Sequence, residues 1–95
     1  MIKVVVNPKE IRIEGHAMYD VHGKDIVCAA CSSIITTSVN GILKLDKEAI
    51  SYKQTEDGII INIKKEDNVT NTLIENMLDL LKELEQSYPK NISVK

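Results

Sequence analysis

The chain switches its hydrophobic period several times, and each switch predicts an element. Ile2-Lys3-Val4-Val5-Val6 is a short β-branched run closed by Asn7-Pro8-Lys9-Glu10, where Asn-Pro favours a turn and proline has no amide to give a ladder. Ile11 and Ile13 then alternate with Arg12 and Glu14, a period of two that turns the isoleucines to a core and the charges to water, so a hairpin is expected. Gly15-His16-Ala17 ends that strand. Residues 17–24 follow neither period and are punctuated by Gly15 before them and Gly23 near their end, which predicts a mobile loop.

From Ile26 the spacing becomes helical, with Val27, Ala30, Cys31, Ile34, Ile35 and Ser38 at three- and four-residue steps. Asp25 is the natural N-cap because its carboxylate can accept the unpaired amides of the first turn, and Asn40-Gly41 is a place for the helix to end or fray. Ile50 to Thr55 and Ile59 to Lys64 flank the turn signal Glu56-Asp57-Gly58 and predict a second hairpin. The strongest helical period runs from Val69 to Tyr88, with Val69, Leu73, Met77, Leu80, Leu81, Leu84 and Tyr88 on one stripe and Glu75, Asp79, Lys82, Glu83 and Gln86 opposite. Pro89 ends it, and Asn91-Ile92-Ser93-Val94-Lys95 reads as a last strand. The order β-β-α-β-β-α-β predicts an α+β domain with two helices packed on one mixed sheet.

The 95 residues suffice for one core and not for two, so residues 1–95 are expected to form a single domain. With 12 Lys plus Arg against 14 Asp plus Glu, the net charge of −2 offers no general attraction to a polyanion. Direct nucleic-acid binding and acidic membrane surfaces are therefore not expected. No apolar run approaches the roughly 20 residues of a membrane span, and the first residues lack the pattern of a secretory leader. The chain is expected in the cytosol, where its two cysteines would remain thiols.

Both histidines and both cysteines fall between Gly15 and Ser32. Cys28 is the third residue after the expected cap Asp25, in a first helical turn whose unpaired amides and macrodipole favour an anion and hence a thiolate. The amides of Cys28 and Ala29 could face a carbonyl oxygen as it gains charge. His16 leaves a strand that can adjoin the helix start, from which an imidazole could take the thiol proton and return one to a leaving amine. The plainer alternative is a small buried cysteine and a histidine that merely ends a strand, and composition and spacing alone favour it.

Other chemistries compete for the same residues. Cys28-Ala29-Ala30-Cys31 is a Cys-x-x-Cys, but a loop rather than a strand precedes it and no Trp or Pro flanks it, which argues against disulfide exchange. His16, His22, Cys28 and Cys31 are all zinc-compatible, yet the histidines are six apart and no second ligand pair follows. Neither metal nor cofactor is expected. His22 sits in a polar loop and reads as solvated; Asp20 or Asp25 could orient His16, although Asp25 already serves as cap. Ser32 lies one turn after Cys28 on the same face, within reach of the thiolate or a bound peptide, or simply exposed.

Gly15-His16-Ala17, a loop ending in Gly23-Lys24-Asp25, and then Ile26-Val27-Cys28-Ala29-Ala30 with Ser32 resemble the ribosomal-processing cysteine protease family, Prp. The resemblance covers nearly the whole chain, including the leucine-rich second helix. It implies an endopeptidase that removes the N-terminal extension of a bacterial large-subunit ribosomal protein, the twenty-seventh, cutting after apolar aromatic residues and acting as a homodimer. It implies Cys28 as nucleophile and His16 as base, with Gly15, Gly23, Asp25, Ala29 and Ser32 supporting the site and residues 17–24 forming a loop that orders over substrate. Cys31 departs from the family, which usually carries a small aliphatic residue there; it is expected in the core, and a Cys28–Cys31 disulfide is a hypothesis. Two rival readings remain: a non-catalytic ribosome-associated peptide-binding module, and a thiol-redox or zinc protein.

Overall fold

The computed structural model describes residues 1–15 and 26–95. The expected mobile loop, with His16, Asp20, His22, Gly23 and the cap Asp25, lies outside the described residues. Strands β1 (Ile2–Val6) and β2 (Glu10–Glu14) precede helix α1 (Ile26–Leu45); β3 (Ile50–Gln54) and β4 (Gly58–Ile63) precede α2 (Asn68–Ser87), and β5 (Ile92–Val94) follows. The expected order β-β-α-β-β-α-β, two helices on one mixed sheet, is the order observed.

The strands line up as β3-β4-β2-β1-β5, antiparallel except for the outer pair β1 and β5. Period-two alternation fixes this register: Val4 faces Ile13, and Ile11 faces Ile61, so buried isoleucines and valines share one face. Arg12, on the opposite face, bonds Glu10 at 2.7 Å. The chain closes on itself where the Ile2 amide donates to Asn91 O at 2.8 Å and the Lys95 amide donates to Val4 O at 2.8 Å. Glu85 of α2 accepts from the Val94 amide at 2.9 Å, which occupies one donor of the edge strand β5.

α1 presents Val27, Cys31, Ile35, Val39 and Ile42 to the core, and α2 presents Thr70, Ile74, Met77 and Leu81. Two details differ from the sequence reading. Asn40-Gly41 does not end α1, because the apolar face continues through Ile42 and tertiary burial outweighs the weak helix preference of that pair. The inward stripe of α2 is rotated from the expected one: Val69 and Leu80 are 56% and 39% exposed, while Thr70 and Ile74 lie inside. Thr70 can be buried because it pairs locally, its amide donating to Asp67 Oδ1 at 2.8 Å at the helix start.

The expectation that no segment reaches membrane-spanning length needs correction. By length and composition alone α1 is long and apolar enough to cross a bilayer. Its outer face carries Ser32, Ser33, Thr36, Thr37, Asn40 and Lys44 while Val27, Cys31, Ile35, Val39 and Ile42 are buried in the core, which is the pattern of an amphipathic core helix.

Candidate active site

The end of β2, the first turns of α1 and the β3–β4 turn enclose a cavity of about 280 Å³. Gly15, Cys28 and Ser32, all expected near one another, line it together. Its floor is apolar, from Ile2, Ile13, Ile35 and Ile59, and its rim includes Gln54, Thr55, Glu56 and Asp57.

Gly15 has φ of 90°, and a Cβ there would press on the carbonyl oxygen of Met1, so this position requires glycine on two counts. Its amide donates to Asp57 O at 3.0 Å, which draws the β3–β4 turn against the end of β2. That turn is closed by Thr55, whose amide donates to Gly58 O at 2.7 Å and whose hydroxyl accepts from the Gly58 amide at 3.1 Å. A Cβ on Gly58 would collide with the carbonyl of Ile13, so the close approach of β4 to β2 also depends on a glycine.

The described part of α1 begins at Ile26, and Cys28 stands close to that end; the expected cap Asp25 lies outside the described residues. Cys28 is half-buried and faces the cavity. Cys28 and Ala29 lie toward the N-terminal end of α1, the end at which a helix macrodipole is positive. Ala29 has an exposed side chain and is not part of the cavity lining; Ser32 is exposed and is.

The two thiols have different environments. Cys31 is 3% exposed, and burial, followed by the nearby Cys28, pushes its thiol up to about 11. It is therefore neutral at physiological pH and packs as a small apolar residue, as expected. Both cysteines are thiols in this structure. The zinc reading needs His16 and His22, which lie outside the described residues; among the described residues no group of three or more Cys, His, Asp or Glu converges.

The sequence reading makes Gln54 and Thr55 the end of a strand and Glu56-Asp57-Gly58 a turn, with no part in a site, whereas residues 54–58 wall the cavity that Cys28 lines. The available signal was Gly58 itself: a glycine beside a strand marks a place where another backbone comes close.

A crystal structure of the Staphylococcus aureus ribosomal processing protease Prp with a covalently linked product peptide has the same fold, with a TM-score of 0.84 at 26% identity over 99% of this chain and 95% of that one. By class, this chain is a cysteine peptidase. The ribosomal processing cysteine protease Prp of Staphylococcus aureus strain Mu50 is 30% identical over 86 residues, 87% of this chain and 81% of the relative. That of Mycoplasma genitalium is 30% identical over 96 aligned positions, 99% of this chain and 94% of the relative. Residues 1–93 match the family model described as cysteine protease Prp, and the chain belongs to this family of ribosomal-processing proteases.

Proposed function

We propose that this chain removes the N-terminal extension of a large-subunit ribosomal protein, the twenty-seventh, with Cys28 as nucleophile and His16 as general base and acid. The observation that carries the reading is that Gly15 and Cys28 line one cavity. His16 follows Gly15 directly in the sequence, and Gly15 lines the cavity that Cys28 lines. The relative crystallised with a covalently linked product peptide supports a covalent route.

In this cycle His16 takes the thiol proton and the Cys28 sulfur attacks the scissile carbonyl carbon. The resulting oxyanion is held by backbone amides of Cys28 and Ala29. The C–N bond breaks as His16 returns its proton to the departing amine, leaving a thioester. Water, deprotonated by His16, attacks that thioester; the carboxylic product leaves and the thiol is restored. Ser32, one turn from Cys28, is suited to hold the bound peptide, and Asp25 and Gly23 to fix the entry to α1. The enzyme acts as a homodimer in the cytosol, where the thiol stays reduced.

Mass spectrometry of the host's full-length ribosomal protein after incubation with the wild type and with Cys28→Ala tests this reading. Loss of one defined N-terminal peptide with the wild type alone is the expected result. An intact ribosomal protein with folded, reduced wild type would turn the reading toward a peptide-binding module.

A further inference from the structure

A second, smaller cavity of about 180 Å³ runs on from the catalytic one. The two share Ser32, Ile35, Gln54 and Ile59 in their linings. The second continues along α1 through Thr36, Val39 and Asn40 and is walled on the other side by Tyr52 of the edge strand β3. Tyr52 pairs with the core-facing Ile61, so it sits on the helix-bearing face of the sheet, yet it is 48% exposed because β3 has no neighbour beyond it.

We propose that this groove is an extended substrate subsite, in which Thr36, Asn40 and Tyr52 hold the peptide several residues to one side of the bond being cut. The inference rests on the assignment of Cys28 as nucleophile. Ser32, Thr36 and Asn40 recur at four-residue intervals along one edge of the groove. Four residues of helix advance about 6 Å, and two residues of extended chain advance about 6.6 Å. An extended peptide beside α1 thus presents a backbone group to each of these three side chains in turn. The floor beneath them is Ile35, Val39 and Ile59, which suits the apolar side chains of the alternate peptide positions. From Cys28 to Asn40 the helix rises about 18 Å, the span of about five extended residues. The occupant is the enzyme's own substrate because the groove opens into the catalytic cavity and shares its lining.

The test measures kcat/KM on two series of synthetic peptides taken from the proposed ribosomal substrate, one lengthened residue by residue before the scissile bond and one after it. For the wild type, one series gains about tenfold or more over five residues, since remote binding energy is used at the reacting centre. Asn40→Trp, an exposed helix position, fills the groove and removes most of that gain, and Lys44→Ala, one turn beyond it, keeps it. Comparing long with short peptides cancels any difference in the fraction of active enzyme. Equal kcat/KM at every length in the wild type, or an undiminished gain in Asn40→Trp, overturns the groove assignment alone. If the folded wild type cleaves none of the peptides, the ribosomal-substrate reading falls and the groove assignment with it.

Discussion

The amide of Gly15 donates to the carbonyl oxygen of Asp57 at 3.0 Å, and this bond fastens the end of β2 to the turn between β3 and β4. It brings the backbone that leads into His16 and the wall facing Cys28 to the same cavity. The bond depends on a backbone conformation with φ of 90°, which L side chains rarely adopt.

Gly15→Ala is therefore expected to cost about 1–2 kcal/mol from conformation alone, with a further penalty from the Met1 carbonyl. In a domain of this size that corresponds to a fall in Tm of roughly 4–16 °C. Calorimetry measures the fall, and cleavage assayed well below both melting temperatures should also be slowed, because the variant shifts the residue before His16. An alanine variant with the wild-type Tm would show that the position is not strained.

Cys31 gives the protein an alkaline weakness. Its thiol is raised to about 11 by burial, so its contribution to stability is full below the ordinary thiol value and is lost as the pH climbs toward 11. Thermal melts over that interval should fall more steeply for the wild type than for Cys31→Val, which keeps a small apolar side chain in the core. At neutral pH, iodoacetamide should modify Cys28 and spare Cys31, a difference read by peptide mapping. Equal labelling of both in the folded protein would contradict the burial of Cys31.

The start of α2 provides an acid-side counterpart. Asp67 accepts from the amide and the hydroxyl of Thr70, which holds its carboxyl below the usual range. Its contribution is present above the ordinary carboxylate value and is lost as the pH falls through the lowered one. Asp67→Asn should retain the cap and flatten this part of the acid-side slope of Tm, whereas Asp67→Ala should lower Tm at neutral pH as well. Identical melting of the alanine variant and the wild type at neutral pH would remove the cap from the account.

Strand and helix order was legible because Ile11, Ile13 and Ile61 obey a period of two and Val27, Cys31 and Ile35 a helical one. That Cys28 lies in a helix was equally legible, from the three- and four-residue steps of Val27, Cys31 and Ile35 around it. The rotation of α2 was not: with apolar residues at 69, 73, 74, 77, 80 and 81, the stripe is wide enough for two orientations. Packing against α1 and the sheet selects Ile74 and Leu81 over Val69 and Leu80. The wall formed by residues 54–58 was hidden for another reason. It is fastened to the cavity by the backbone bond from the Gly15 amide to Asp57 O, which leaves no side-chain pattern, so Gly58 was the one mark of it in the sequence.

The central claim is that Cys28, and not the cysteine one turn away, carries the chemistry. Initial rates on the ribosomal substrate should be compared for wild type, Cys28→Ala and Cys31→Val, each with a melting curve to show the fold. The account predicts that Cys28→Ala melts like the wild type but loses about 10⁴-fold or more in rate, while Cys31→Val cleaves within about threefold of the wild type. Cleavage by folded Cys28→Ala at the wild-type rate would contradict it.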